Sequence, residues 1–305
     1  MSEPRPSVLV LLATYNGAPF IEEQLRSILD QERVDVRVLV SDDGSTDGTL
    51  EIIAGLADQR VAVLPTIAPS GSSFLNFARL IRDARPREHE LVAFADQDDR
   101  WALHKLITQA DAIAGGAGAV SGSVMAFRDD GSRFLVRKDR PQRRFDFLTE
   151  SPGPGCTFVL TRPVFDAVAD VLDRVPSASS ADFHDSLIYA VGRGAGFRWS
   201  ILGEPLLDYR QHSTNVMGAN RGFAAASTRF RMLRSHWHRE QAVIHATAAL
   251  AVAPTESRPE LEHMLALLTS TRWRDLVALA TRARFLRRRW RDQVILGVMI
   301  VVGLW

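Results

Sequence analysis

The chain has 305 residues, 46% hydrophobic and 24% charged, with a net charge of +1. That balance supplies a core and excludes the disordered and fibrous classes, and a near-neutral chain gives no reason to expect a nucleic-acid partner. The single Cys156 excludes an intramolecular disulfide and fits a reducing, cytoplasmic compartment.

The N-terminal residues run directly into a strand-like segment, so no signal peptide is expected. Ser7 to Ala13 is nearly all Val and Leu, the mark of a strand buried on both faces of a parallel sheet. It stops at Thr14-Tyr15-Asn16-Gly17, after which Pro19 suits the first turn of a helix whose inner face carries Phe20, Ile21, Leu25, Ile28 and Leu29. Val36 to Ser41 is a second buried strand, ending in Asp42-Asp43-Gly44-Ser45-Thr46-Asp47-Gly48. A second helix follows with Ser45 or Thr46 as its expected cap. Val61 to Leu64 is a short strand, and Ser70-Gly71-Ser72-Ser73 opens a third helix bearing Phe74, Phe77, Leu80 and Ile81.

Leu91 to Ala95 is another buried strand, and it ends in three carboxylates within four positions: Asp96, Asp98 and Asp99. Three acids at such a tip repel one another unless something positive sits among them. Asp96 and Asp98 suit hard oxygen ligation of Mg²⁺ or Mn²⁺, with the remaining positions left to water and phosphate. Asp47 and Asp99 are expected instead to cap helix starts, where the macrodipole favours acids.

Strand and helix thus alternate through the first hundred residues, an α/β doubly wound pattern. Ligands of open parallel sheets bind beyond the carboxyl ends of the strands, and here three such ends carry acids and hydroxyls. One shared site explains that better than coincidence. No Gly-x-Gly-x-x-Gly follows the first strand and no P-loop exists. The twelfth position counted from Asp43 is Ala54, which excludes an EF-hand.

After Trp101 a helix is expected to about Ala114, then a strand over Val120 to Phe127 and a basic loop or hairpin over residues 128–146. Pro152-Gly153-Pro154-Gly155 leads into a strand at Cys156 to Leu160, with Cys156 an inert thiol lacking a cationic partner. A helix over Pro163 to Leu172, a second after His184-Asp185, and strands at Phe197 to Leu202 and Pro205 to Tyr209 follow. Asn215 to Gly222 reads as a mobile loop. From about Ala224 the chain is helical, broken at Pro254 and Pro259. Residues 282–305 carry six arginines up to Arg291 and then 12 largely apolar residues, too few to span a bilayer, which needs about 20. That end is either a packed helix or an interfacial membrane anchor.

Five motifs now stand in order: Ala13-Thr14-Tyr15-Asn16, Asp42-Asp43-Gly44-Ser45-Thr46-Asp47-Gly48-Thr49, Asp96-Gln97-Asp98-Asp99-x-Trp101, His184-Asp185 and Tyr209-Arg210-Gln211-His212. Together they resemble a family 2 glycosyltransferase of the GT-A fold, in particular its bacterial rhamnosyltransferase-like branch, over roughly residues 7–220. The resemblance implies a Rossmann-like, mostly parallel sheet flanked by helices, spanning 1–222, with a helical extension over 223–305. It implies that Tyr15 and Asp43 contact the donor's base and ribose, that Thr14, Asn16 and Asp42 shape that pocket, and that Asp96 also faces the donor. Asp96 and Asp98 form the metal-binding pair, His212 adds a metal or diphosphate contact, and Asp185 is the general base. Gly155-Cys156-Thr157 resembles the floor of the acceptor cleft.

The expected function is therefore inverting, metal-dependent transfer of a sugar, rhamnose being the candidate, from a dTDP or UDP donor. The acceptor is a hydroxyl of a glycan or a lipid-linked sugar in bacterial surface-polysaccharide synthesis. Expected partners are the nucleotide sugar, the acceptor, the inner face of the plasma membrane through residues 282–305, and a second copy in a homodimer. A sugar-phosphate nucleotidyltransferase would need a Gly-rich loop with a cation after the first strand, which Thr14 to Pro19 does not supply. A nucleotide-sugar-binding module without transfer activity would have lost the acid pair or the base, and both are present.

Overall fold

A computed structural model describes residues 5–66, 68–128, 130–211 and 236–305. Its centre is a seven-stranded sheet in the order β10-β6-β9-β4-β1-β2-β3. Strand β1 (Ser7–Thr14) pairs in parallel with β2 (Asp35–Asp42) on one side and β4 (Leu91–Ala95) on the other, Thr14 facing Asp42 and Leu12 facing Ala95. The continuous Val/Leu run of β1 reflects burial on both faces, from Val8 through Leu12 at no more than 1% exposure. β3 (Val61–Val63) closes one edge, and β6 (Ala119–Gly122) with β10 (Trp199–Leu202) closes the other. Only β9 (Val159–Leu160) runs antiparallel to its neighbours β4 and β6.

Two segments expected as single strands divide in the structure, the first at Ser121-Gly122-Ser123. Val120 to Phe127 is not one strand: Ser123 bends it out of the main sheet, and β7 (Val124–Phe127) joins a second sheet with β5 (Arg100–Trp101), β11 (Leu207–Arg210) and β8, ordered β5-β11-β7-β8. Ser123 anchors the bend, its N–H donating to Leu202 O (3.0 Å) and its hydroxyl accepting from the Lys138 N–H (3.0 Å). The basic stretch after β7 includes β8 (Arg133–Val136), its antiparallel hairpin partner. Gly155–Thr157 is a turn of 3₁₀ helix ahead of β9 rather than strand. A run buried on every side fits either outcome, so periodicity could not choose.

Helices α1 (Ile21–Leu29), α2 (Thr49–Gly55), α3 (Ser73–Asp83), α4 (Lys105–Ala114), α5 (Arg162–Arg174) and α6 (His184–Gly194) flank the strands. Ser72 caps α3, accepting from the Leu75 N–H at 3.4 Å. Neither Ser45 nor Thr46 caps α2, whose N-cap is Gly48 with no side-chain cap; Asp47, just before it, accepts from the Thr49 N–H at 3.1 Å. The C-terminal helices are α7 (Trp237–Val252), α8 (Arg258–Thr269), α9 (Trp273–Thr281), α10 (Ala283–Leu286) and α11 (Trp290–Val301). Pro259 lies in the first turn of α8, where its missing N–H costs nothing, so it opens a helix rather than breaking one. One apolar core runs from Phe77 and Phe158 through Ala246 to Leu296 and Trp305. Residues 282–305 therefore pack on the body through Leu296, Ile300 and Trp305, while Val294, Ile295, Val298 and Val302 on the other side stay more than half exposed. No described helix is long and apolar enough to cross a membrane.

Candidate active site

The carboxyl ends of β1, β2 and β4 lie side by side because their strands pair in register, and side chains fasten the turns that follow. Gln97 joins the first to the third: its Oε1 accepts from Thr14 Oγ1 (2.7 Å) and the Tyr15 N–H (2.8 Å), and its Nε2 donates to Tyr15 O (3.1 Å). Gly17 admits this clasp, since a Cβ there would fall 2.5 Å from Gln97 Oε1. Asn16, at φ 47°, joins the first turn to the second, its N–H donating to Ser45 Oγ (2.8 Å) and its Oδ1 accepting from the Thr46 N–H (2.9 Å). Tyr15 is left 55% exposed beside the cleft.

The buried acids of the second turn hold loops. Asp42 accepts from the backbone N–H groups of Gly44 (3.0 Å) and Ser45 (2.8 Å). Asp43 accepts from those of Ser70 (2.6 Å) and Gly71 (2.9 Å), so it ties the second turn to the segment that opens α3.

The third turn is the electrostatic centre. Asp96 is half-buried and Asp98 and Asp99 are buried. Loss of hydration, then the charges of Asp98 and Asp185, push Asp96 up to about 7. The same burial, then Asp98 and Asp96, push Asp99 well above the usual carboxylate range. Asp99 does not cap a helix: α4 begins only at Lys105, and Asp99 turns inward, with ligand atoms of Asp96, Asp99 and Cys156 all within 4.8 Å of one another. Its Oδ1 accepts from the Arg210 N–H (3.3 Å), while its buried Oδ2 has no hydrogen-bond partner among the described residues. Arg210, on β11 (Leu207–Arg210), clamps the turn from outside, its Nε donating to Asp98 O (3.0 Å) and its Nη2 to Glu23 (2.8 Å).

Cys156 does have a cationic neighbour. The fully buried Lys105 stands over the Trp101 ring, 3.5 Å from its centroid, with no hydrogen-bond acceptor for its amine among the described residues. Burial pulls that amine down to about 7, while the nearby Cys156 and Asp99 act in the opposite sense. A lysine beside Leu106 and Ile107 gives no hint in sequence that it points inward.

The fourth acid arrives from another element. Asp185 lies in the first turn of α6, close enough to Asp96 for its charge to raise Asp96. Its Oδ2 accepts from Ser151 Oγ (2.8 Å) and its Oδ1 from the Ser186 N–H (2.7 Å). His184, just before it, stacks on Phe77 with ring centroids 3.8 Å apart, and its Nε2 is buried against Gly155. Behind Ser151, Arg288 donates to Asp146 Oδ2 (2.5 Å) and the Tyr189 hydroxyl (3.1 Å), which locks the C-terminal helices to α6. Asp98 and Asp185 thus both come close enough to act on Asp96, with Thr14, Tyr15, Asn16, Asp42 and Asp43 on the neighbouring turns. His212 lies outside the described residues. Gln97, Lys105 and Ser151 are the contributions that sequence reasoning missed.

Comparison with known proteins agrees with this architecture. The profile of "Glycosyl transferase family 2" matches residues 9–168. The chain is 34% identical over 242 residues to the dTDP-rhamnosyl transferase RfbG of Shigella flexneri, covering 78% of this chain and 84% of that protein. Among solved structures it resembles S. aureus TarS 1–349 in complex with UDP-GlcNAc, with a TM-score of 0.58 at 17% identity over 98% of this chain and 82% of that one. It also resembles the mannosyltransferase PcManGT from Pyrobaculum calidifontis in complex with GDP-Man and Mn²⁺, with a TM-score of 0.52 at 21% identity over 99% and 86% of the two chains. These structures share the GT-A architecture expected from the motifs. The chain belongs to glycosyltransferase family 2, and it is a glycosyltransferase built on a nucleotide-sugar-binding GT-A fold.

Proposed function

We propose that this glycosyltransferase moves rhamnose, with inversion and assisted by Mg²⁺ or Mn²⁺, from a dTDP donor (UDP being the second choice) to a hydroxyl of a glycan or lipid-linked acceptor in bacterial surface-polysaccharide synthesis. The observation that carries this reading is the convergence of Asp96, Asp98 and Asp99 at one strand tip with Asp185 from a separate helix. The choice of donor rests on the likeness to a dTDP-rhamnosyl transferase.

The cluster fits a hard divalent ion. Asp96, Asp98 and Asp99 offer carboxylate oxygens at one turn, and one buried oxygen of Asp99 lacks a hydrogen-bond partner among the described residues, although the Cys156 sulfur, a softer donor, stands beside Asp96 and Asp99. Asp96 and Asp98 would hold the ion, with His212 as a further candidate. When bound, it supplies positive charge against the diphosphate of the donor.

The chain's own groups do the rest. Tyr15 and Asp43 border the space for base and ribose, while Thr14, Asn16 and Asp42 fix the turns that shape it. Asp185 accepts the proton of the attacking hydroxyl from the face opposite the leaving group, which is what inversion requires. Ser151 and Ser186 hold that carboxylate in place. The catalytic unit is residues 1–222, and the region 223–305 brings the enzyme to the inner face of the membrane through 282–305. A thermal-shift panel of nucleoside-diphosphate sugars with and without Mn²⁺ tests the reading: stabilisation by a dTDP or UDP sugar that depends on the ion is expected. Metal-independent stabilisation, or none, would refute it.

A further inference from the structure

Asp185, Tyr189 and Arg193 recur every fourth residue along α6, so they share one face of it. The stretch of chain bonded to that face begins with a 3₁₀ turn, Asp146–Leu148, and ends at Ser151. It grips the helix on successive turns. The Tyr189 hydroxyl donates to Asp146 Oδ1 (3.1 Å), which Arg193 Nη1 also approaches (3.4 Å), and the Ser151 hydroxyl donates to Asp185 Oδ2 (2.8 Å). The candidate base is therefore held by the same stretch that buries Asp146 against the next turn of its helix.

That stretch is stitched in turn to residues 285–288, the end of α10 and the turn that follows it. The Phe145 N–H donates to Phe285 O (3.0 Å), Thr149 Oγ1 to Leu286 O (2.5 Å), and the Arg288 N–H to Glu150 Oε1 (3.2 Å). The Arg288 side chain then reaches across. Its Nε donates to Asp146 Oδ2 (2.5 Å), its Nη2 to the Tyr189 hydroxyl (3.1 Å), and its Nη1 lies 3.5 Å from Ser151 O. One guanidinium thus meets the stretch at both ends and the helix beside it. Asp146 and Tyr189 are fully buried and Arg288 nearly so. Apolar residues of similar volume often replace a buried ion pair without loss of stability, so stability alone does not account for this network. What a fully bonded polar network supplies is a single fixed geometry.

We propose that Arg288 is a positioning residue for sugar transfer: by fixing Asp146 and Ser151 against α6 it sets where Asp185 meets the attacking hydroxyl. Residues 285–288 of the C-terminal region then complete the site without contacting Asp185, a role separate from bringing the enzyme to a membrane. A base displaced by a fraction of a bond length slows the chemical step steeply. Donor binding is left alone, because Tyr15, Asp43 and the acids after β4 stand on other elements. The inference deepens the proposed function and rests on Asp185 being the base.

The test follows dTDP release from dTDP-rhamnose by the full chain with Mn²⁺ and octyl glycosides as acceptors. Arg288→Lys keeps a cation for Asp146 but cannot span Tyr189 and Ser151 at once. It should lower kcat roughly tenfold, as for losing one hydrogen bond to a charged group, and leave the donor KM unchanged. Tyr189→Phe, which removes one hydroxyl and keeps the ring, should lower kcat in the same sense, and it carries the test if Arg288→Lys does not fold. Residues that act through one contact are not additive, so either change should cost nothing further in a Ser151→Ala or Asp185→Asn background. A wild-type kcat in both single variants would overturn the proposal. So would losses that multiply with that of Ser151→Ala, or a donor KM that rises as kcat falls, since a merely structural arginine would give either. The base assignment fails separately: a wild-type kcat in Asp185→Asn would refute it and this inference with it. An impaired Asp185→Asn beside unimpaired Arg288→Lys and Tyr189→Phe would refute the positioning role alone. No dTDP release by the wild type would refute the rhamnosyl-transfer reading and the inference built on it.

Discussion

The Ser151 hydroxyl donates a 2.8 Å hydrogen bond to Asp185 Oδ2, so the candidate base is held from a loop outside its own helix. A base that must meet an acceptor hydroxyl within hydrogen-bond reach depends on such support. Ser151→Ala should lower kcat roughly tenfold, the cost of losing one hydrogen bond to a charged group, with the donor KM little changed. Asp185→Asn should lower kcat by about 10²–10⁴, the usual contribution of general base catalysis. Steady-state kinetics on both variants check this; a Ser151→Ala enzyme with wild-type kcat would show that the contact positions nothing.

Gly155 and His184 meet so closely that a Cβ at 155 would stand 2.0 Å from His184 Nε2. The imidazole is stacked on Phe77 and cannot retreat freely. Gly155→Ala should therefore shift the start of α6, lower kcat, and cost about 1–3 kcal/mol as overpacking does. Chemical denaturation measures the second effect, and an unchanged midpoint would contradict it.

His184 also sets a pH dependence of stability. Burial holds its imidazole down to about 4, from an ordinary 6.5, with the charge of Asp185 acting in the opposite sense. Between those values the unfolded chain binds a proton that the folded chain refuses, so stability is complete above about 6.5 and is lost as pH falls toward 4. Urea midpoints across this window should fall with acid in the wild type and fall less steeply in His184→Asn. Parallel curves would show that other groups carry the slope.

Gly194, at the end of α6, touches α7 directly: a Cβ there would lie 2.6 Å from Ala249 Cα. Helix propensity alone would make Gly194→Ala stabilising by about 1 kcal/mol. Backbone cannot yield as a side chain can, so overpacking of about 1–3 kcal/mol should prevail and the variant should melt lower. A raised melting temperature would mean that α6 and α7 separate readily.

The strands and the acid-bearing turns were legible because a sheet buried on both faces needs apolar runs, and β1 and β4 have them unbroken while β2 has one interrupted by Arg37. The bend at Ser123 does have a local signal, Ser121-Gly122-Ser123 within Val120 to Phe127, which reading the segment as one strand passed over. Asp99 reads as a helix cap only while α4 is assumed to start near Ala102. With the start at Lys105, Asp99 is free to turn toward Asp96 and Cys156. Lys105 and Ser151 carry no local signal, because burial of a lysine and contact across 34 positions are products of tertiary packing. The C-terminal helix was open between packing and exposure, and it does both, presenting Leu296 to the core and Val298 to solvent.

The central claim is that the acids at the tip of β4 serve sugar transfer from a nucleotide donor. It is tested most directly by the rate of transfer from dTDP-rhamnose in the presence of Mn²⁺, comparing wild type with Asp98→Ala. The account predicts a loss of about a hundredfold or more, in keeping with removal of a group that stabilises charge in the transition state. Transfer at the wild-type rate by Asp98→Ala would contradict it.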